Sequence, residues 1–379
     1  MTPFSRRSVV RSASAFLAGI AVLNRNLVAS EPKPAPVTPT GAATPPGKIT
    51  RLNYNENPFG PSAPARQALL ALGDETWKYS YEEVAALRAL LASREGVQPQ
   101  NIFVGEGSGE ILKVAAMIYG EAGHQLIASH PTYPMLLRYA ARRGATVTWV
   151  NLNGSFNHDF AALKAHVKDE TTLIYICNPN NPTGVLADPT ELRAFIQAIP
   201  QHVLVLVDEA YLDFAAQPER ASMIDQVKSG KNILVTRSFS KIYGLAGLRI
   251  GYGIGSESVI RHLEALRISI PNQAGIAAAR ASVGDVAFCS DTRAKIEKSK
   301  SDAVQLFGEL GLRYLPSQSN FMMFDTGAEN FEFLGFARQR GLLVAEVVEP
   351  FSKWVRVSMG RPEDMREFAN VLRAFVRKS

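Results

Sequence analysis

The sequence predicts an open α/β architecture, with a mostly parallel sheet flanked by helices on both faces. Three stretches carry that reading. The runs in VLVLVDEAY (203–211) and TLIYICNPNNPTG (172–184) are apolar without interruption, the pattern of strands buried on both faces. ILVTR (233–237) reads as a third strand. From about residue 76 to 278 such segments alternate with helical ones, as a parallel sheet with crossover helices requires.

In chain order, IFVGEGSGEILKVAAMIYG (102–120) reads as a short strand, a glycine-rich turn and an amphipathic helix. Gly107, Ser108 and Gly109 allow close backbone approach to an anion at the helix N-terminus. Glu110 stands where the dinucleotide fingerprint needs its third glycine, so that fingerprint does not match. QLIAS (125–129) is strand-like and precedes HPTYPMLLRYA, whose Tyr133 suits stacking on a flat ring. The turn NPNNPTG offers the Asn181 amide, and Asp208 closes the next buried run with Tyr211 three residues on. The C-terminal edge of such a strand is where open α/β sheets hold their ligands.

SFSKIYGLAGLR (238–249) then places Lys241 on a turn leaving a strand. A lysine near apolar walls and cations sheds its proton and forms an imine with an aldehyde. Ser238, Ser240 and Arg249 nearby suit a phosphate. A lysine of this kind beside a phosphate site suggests pyridoxal phosphate. Asp208 would then keep the pyridine nitrogen protonated, while Tyr211 and Asn181 would hydrogen-bond the phenolic oxygen. Each feature alone has an ordinary explanation: a basic loop, a plain turn, a helix cap, core packing. Their coincidence at strand ends does not.

These blocks, with LNYNENPFGPS (52–62), PTYPM (131–135) and VRVSMG (355–360), resemble the fold-type I pyridoxal-phosphate aminotransferases, specifically the histidinol-phosphate aminotransferase subfamily. The resemblance spans roughly residues 50 to 379. It implies Lys241 as the lysine that bonds the cofactor and carries the proton. It implies Tyr133 stacked on the ring, and Ser108, Gly109, Ser238, Ser240 and Arg249 around the phosphate. Tyr79 in WKYSYEE resembles a tyrosine that reaches the partner subunit's cofactor, implying a homodimer, although Ser80 stands where the family usually has proline. Arg356 resembles the arginine that grips the substrate α-carboxylate, and Asn57 is assigned to the substrate side. A small domain of residues 49–75 plus 279–379 is expected beside the large cofactor domain, 76–278. The implied reaction moves an amino group between an amino acid and a 2-oxo acid. Related enzymes of this fold also carry out α-decarboxylation, which stays open as an alternative.

The chain departs from the subfamily where the substrate phosphate should bind. Asp325 stands at one expected arginine in SNFMMFDTG (319–327), and Ala345 followed by Glu346 at another in GLLVAEVVEP (341–350). Two acids facing a phosphate would repel it, so histidinol phosphate is not expected as the main substrate and Asp325 is assigned to the substrate pocket.

With 379 residues, 46% hydrophobic and 20% charged, the chain is an ordinary globular one. No zinc spacing and no Ser-His-Asp signature stands out, and Cys177 and Cys289 make no disulfide framework. SRRSVVR (5–11) resembles the twin-arginine export motif and AFLAGIAVL (15–23) is a short apolar core, so residues 1–30 are expected to be a signal peptide and 31–48 a proline-rich linker. Transfer to the periplasm or other export by the twin-arginine machinery is expected, without stable membrane association after cleavage; a cytoplasmic enzyme with a basic tail is the alternative. Those 30 residues hold four arginines and no acid, so the formal charge of +6 falls to +2 without them. The basic balance therefore makes no case for nucleic acid.

Overall fold

A computed structural model describes residues 49–347 and 350–378. The signal peptide and linker expected over residues 1–48 lie outside the described residues. The larger sheet has seven strands in the order β2-β8-β7-β6-β5-β3-β4. These are β2 (Ile102–Gly105), β3 (Gln125–His130), β4 (Thr146–Asn151), β5 (Thr171–Cys177), β6 (Leu204–Asp208), β7 (Ile233–Ser238) and β8 (Gly251–Gly255). The five strands from β7 to β4 run parallel, and β8 is antiparallel to both its neighbours, β7 and β2.

The predicted mostly parallel sheet is therefore present, and its reason is visible in the side chains. Every residue of β6 is buried, as are nearly all of β5 and β7, because helices cover both faces. One core cluster packs Leu126, Leu173, Leu206 and Leu234 against the helix Ser108–Tyr119, while another gathers Ile127, Ile174, Val205 and Val235. β4 lies at the sheet edge and is mostly exposed or half-buried.

A second sheet, in the order β1-β10-β11-β9, joins β1 (Thr50–Leu52), β9 (Phe321–Asp325), β10 (Leu342–Glu346) and β11 (Trp354–Ser358). Its aromatic side chains pack with the helices Val286–Glu309 and Pro362–Val376. Phe307 stacks on Phe324 at 4.8 Å, and Phe368 meets Phe324 edge-on at 5.7 Å.

The functional consequence lies at one edge of the large sheet. β3, β5, β6 and β7 all end there, so the segments that follow them, with Tyr133, Asn181, Tyr211 and Lys241, leave the sheet from a common border.

Candidate active site

That border opens into a cavity of about 780 Å³. Its wall includes Ser108, Gly109, Tyr133, Asn181, Asp208, Tyr211, Ser238, Ser240, Lys241, Arg249 and Arg356, all singled out in the sequence. Residues up to 248 positions apart are thus brought together by strand order alone.

Lys241 sits on the turn after β7. Its Nζ donates to the carbonyls of Asn55 at 3.0 Å and Tyr54 at 3.2 Å, and lies 5.3 Å from the centre of the Tyr211 ring. Withdrawal from water, with the Arg356 guanidinium nearby, lowers its pKa from 10.5 to about 8. A substantial share of the amine is therefore neutral at mildly alkaline pH.

Asp208 ends β6 and is buried. Thr236 Oγ1 donates to its Oδ1 and the Tyr175 hydroxyl to its Oδ2, both at 3.0 Å, and the Ala210 N–H adds a bond at 3.3 Å. Burial raises the carboxyl pKa while those hydrogen bonds oppose the shift. Tyr211 receives two amide donors at its hydroxyl oxygen, Asn55 Nδ2 at 3.1 Å and Asn181 Nδ2 at 3.4 Å. With its lone pairs so engaged, the phenol is left as a donor toward the cavity. Burial moves its pKa upward, so it keeps its proton.

Arg249 takes a left-handed backbone, φ 51°, a conformation that side chains larger than glycine rarely adopt. Its guanidinium lies against Gly107, where a Cβ would stand 2.5 Å from Nη2. Gly107 itself has φ 76° and caps the helix Ser108–Tyr119, so only glycine meets both demands. It thus backs the cavity from behind Arg249. Ser238 Oγ accepts the Ser240 N–H at 3.1 Å, which folds the two hydroxyls into one turn. Arg356, on β11, bonds Asn181 Oδ1 and donates from Nη2 to the Asn53 carbonyl at 2.8 Å. Its Nε is buried without a protein partner.

Two assignments need correction. Asn57 is not on this cavity: its Nδ2 donates to the Ile242 carbonyl at 2.7 Å and its Oδ1 accepts the Phe59 N–H at 3.0 Å, so it braces the loop after Lys241. Asn55 is the asparagine on the wall, held at φ 54° and bonded to Ser358. Asp325 neither faces the cavity nor points to solvent. It is buried, ion-paired with Arg313, and caps the turn through the Gly327 N–H at 2.9 Å. Glu346, by contrast, does line the cavity. Tyr79 lies off its own chain's cavity and is 81% exposed.

Sequence reasoning missed Asn55, Thr236 and Tyr175, along with His130, Arg138 and Trp149 on the outer wall. Thr236 sits opposite Asp208 in the β6–β7 register, a signal available only once strand order is known. His158 is a further buried group behind the wall. Its Nε2 lies 2.9 Å from the Cys177 carbonyl and its Nδ1 2.7 Å from Ser129 Oγ, and burial lowers its pKa to about 4.

The residues present fit pyridoxal phosphate. A depressed-pKa lysine, a buried carboxylate, a donating phenol and an arginine cradled at a helix N-terminus share one cavity wide enough for a substituted pyridine. The described residues hold no group of three or more metal-ligating side chains.

Known proteins agree. Residues 47–372 match the family "Aminotransferase class I and II". The chain is 34% identical over 328 residues to histidinol-phosphate aminotransferase from Moorella thermoacetica, covering 86% of this chain and 85% of that one. It is 35% identical over 302 residues to the enzyme of that name from Geobacillus thermodenitrificans, covering 78% and 81%. The crystal structure of histidinol-phosphate aminotransferase from Sinorhizobium meliloti in complex with pyridoxal-5'-phosphate superimposes with a TM-score of 0.81 at 28% identity, covering 92% of this chain and 99% of that one. Motif order, cavity and matches converge, and the chain belongs to the class I and II aminotransferases as a fold-type I enzyme dependent on pyridoxal 5'-phosphate.

Proposed function

We propose that this enzyme takes its amino group from a donor whose side chain is cationic or rich in hydrogen-bond donors, and passes it to a 2-oxo acid. The observation that carries the proposal is Glu346. It is the residue at the end of β10 that lines the cavity, on the strand paired with the one that bears Arg356, and it makes no ion pair among the described residues. A distal phosphate would meet that charge unfavourably.

Placement on the cavity and the family resemblance together support a role for each residue. With the cofactor bound, Lys241 would hold its aldehyde carbon and, as a free amine, would move the proton off the donor's α-carbon. The bound cofactor supplies an electron sink for the carbanion left behind. Asp208 would hold a proton at the pyridine nitrogen, and Tyr211 would donate to the phenolic oxygen. Tyr133 covers the ring face. Ser108, Gly109, Ser238, Ser240 and Arg249 hold the phosphate, and the unpartnered Nε leaves Arg356 capacity for the donor's α-carboxylate.

A second reading keeps histidinol phosphate as donor. It is supported by the relatives of that name and by Arg138, a cation on the same cavity wall. Comparing kcat/KM for arginine, lysine, phenylalanine, glutamate and histidinol phosphate decides between them. Arginine or lysine should lead, and Glu346→Gln should reduce that lead about tenfold, the scale of one charge-assisted contact. A wide margin for glutamate or histidinol phosphate overturns the proposal. Release of carbon dioxide in place of a keto acid would point to decarboxylation.

The same proposal includes a homodimer and export. Tyr79, Trp77, Tyr81 and Leu70 expose large apolar surface, which supports an interface between two copies. The twin-arginine motif and short apolar core in residues 5–23 support export.

A further inference from the structure

Glu110 lies in the first turn of the helix Ser108–Tyr119 and is 6% exposed, yet it does not reach the cavity wall. Its carboxylate accepts three backbone N–H groups. Oε2 takes the Glu106 N–H at 2.6 Å, and Oε1 takes those of Ile268 and Ser269 at 3.1 Å each. The first bond fastens the glycine-rich turn after β2. The other two fasten a distant segment, residues 267–272.

That segment is tied down at further points. Arg267 Nη1 donates to the Val104 carbonyl at 2.7 Å, and Asn272 Nδ2 donates to the Leu248 carbonyl at 2.9 Å. Leu248 is the residue before Arg249. The segment thus runs as a strap from the turn that presents Gly107 to the backbone that holds Arg249 in its left-handed conformation.

We propose that Glu110 is a positioning residue for the phosphate end of the cofactor, joining the 105–107 turn and the 267–272 strap into one frame around Arg249. The inference rests on the phosphate placement proposed above. A carboxylate is suited to the task because it offers acceptors only, on two oxygens. An amide of the same shape has one acceptor oxygen, and its NH₂ would face an N–H donor. One side of the frame would then come loose while the helix keeps its length.

Equilibrium dialysis of the full-length enzyme against pyridoxal phosphate tests this. Glu110→Gln should raise the dissociation constant about tenfold, as expected for one lost hydrogen bond to a charged group. Activity lost at low cofactor should return as cofactor is added, with the pH profile of kcat unchanged. Asn272→Ser keeps a cap for the helix Gln273–Ser282 but is too short to reach Leu248, and should also weaken cofactor binding. The double variant should be less than additive, because both changes open the same frame. A dissociation constant within twofold of the parent in Glu110→Gln overturns the inference. If that variant does not fold, an unchanged constant in Asn272→Ser overturns it. Arg249→Gln separates the two proposals. If it leaves affinity unaltered, the phosphate placement fails; if it weakens binding while the Glu110 and Asn272 variants do not, only the frame fails.

Discussion

Lys241 illustrates how one residue draws its reactivity from its surroundings. Its proton is held less tightly because water is excluded and Arg356 is close. The unfolded chain releases that proton near 10.5 and the folded one near 8, so between those values the unfolded state binds more protons. Stability of the cofactor-free enzyme should therefore rise with pH across that window. Only the neutral amine attacks an aldehyde, so capture of pyridoxal phosphate should accelerate with pH and level off around a midpoint near 8. Stopped-flow absorbance across pH 6–11 measures it; a midpoint close to 10.5 would show that the environment does not act on the lysine. Lys241→Ala should abolish turnover and keep part of the cofactor affinity through the phosphate contacts. Lys241→Arg should fail equally, since a guanidinium neither bonds the aldehyde nor shuttles the proton. Near-native transamination by either variant refutes the assignment.

Between elements, the ends of β6 and β7 are locked together by residues outside the cavity wall. Glu209 follows Asp208 and is fully buried; it accepts from Arg237 at 3.0 Å, from the Met223 N–H at 2.7 Å and from Ser222 Oγ at 3.0 Å. Arg237 precedes Ser238. The pair therefore fixes the spacing of the two strand ends that carry Asp208 and the Ser238–Ser240 turn. Glu209→Ala leaves Arg237 with Glu95 at 3.4 Å but strips the Met223 N–H of its charged acceptor, so it should cost about 1.5–3 kcal/mol. Chemical unfolding monitored by circular dichroism measures the loss. A change below about 1 kcal/mol would mean that water replaces the contact. At the other side of the site, Gly107→Ala should weaken cofactor binding. Its Cβ would displace the Arg249 guanidinium, and φ 76° disfavours any side chain. Unchanged affinity in a folded Gly107→Ala variant would refute that role.

At the scale of the whole molecule the proposals are a second copy as partner and export as destination. Tyr79 is off its own cavity and exposed, yet the motif around it resembles one that completes a neighbouring site. Sedimentation should give a dimer at assay concentrations, and an active monomer would remove Tyr79 from the site. For export, residues 1–30 fused to a folded reporter should direct it across the membrane, and replacing Arg6 and Arg7 by lysine should stop transport. Continued export of that variant would refute the twin-arginine reading.

The sequence by itself determined the mostly parallel α/β sheet, the cofactor chemistry and the polar side chains of the cavity wall that carry it, Lys241, Asp208, Asn181, Tyr211 and Arg249. Apolar runs long enough to be buried on both faces admit few architectures, and the lysine, aspartate and arginine stand at strand ends where little else explains them. Only the tertiary structure decided between alternating neighbours. Asn53, Asn55 and Asn57 look equivalent in LNYNENP, but the left-handed backbone at Asn55 turns that one toward Tyr211 and leaves Asn57 bracing Ile242. Asp325 and Glu346 both lie at ends of strands in the small sheet. One meets Arg313 from the neighbouring segment and is neutralised, while the other meets the cavity. Thr236 and Tyr175 support Asp208 through strand pairing across 28 and 33 residues. Local pattern reports how deeply a segment is buried; which way a side chain points, and whose charge it meets, depends on register and on chain that arrives from far away.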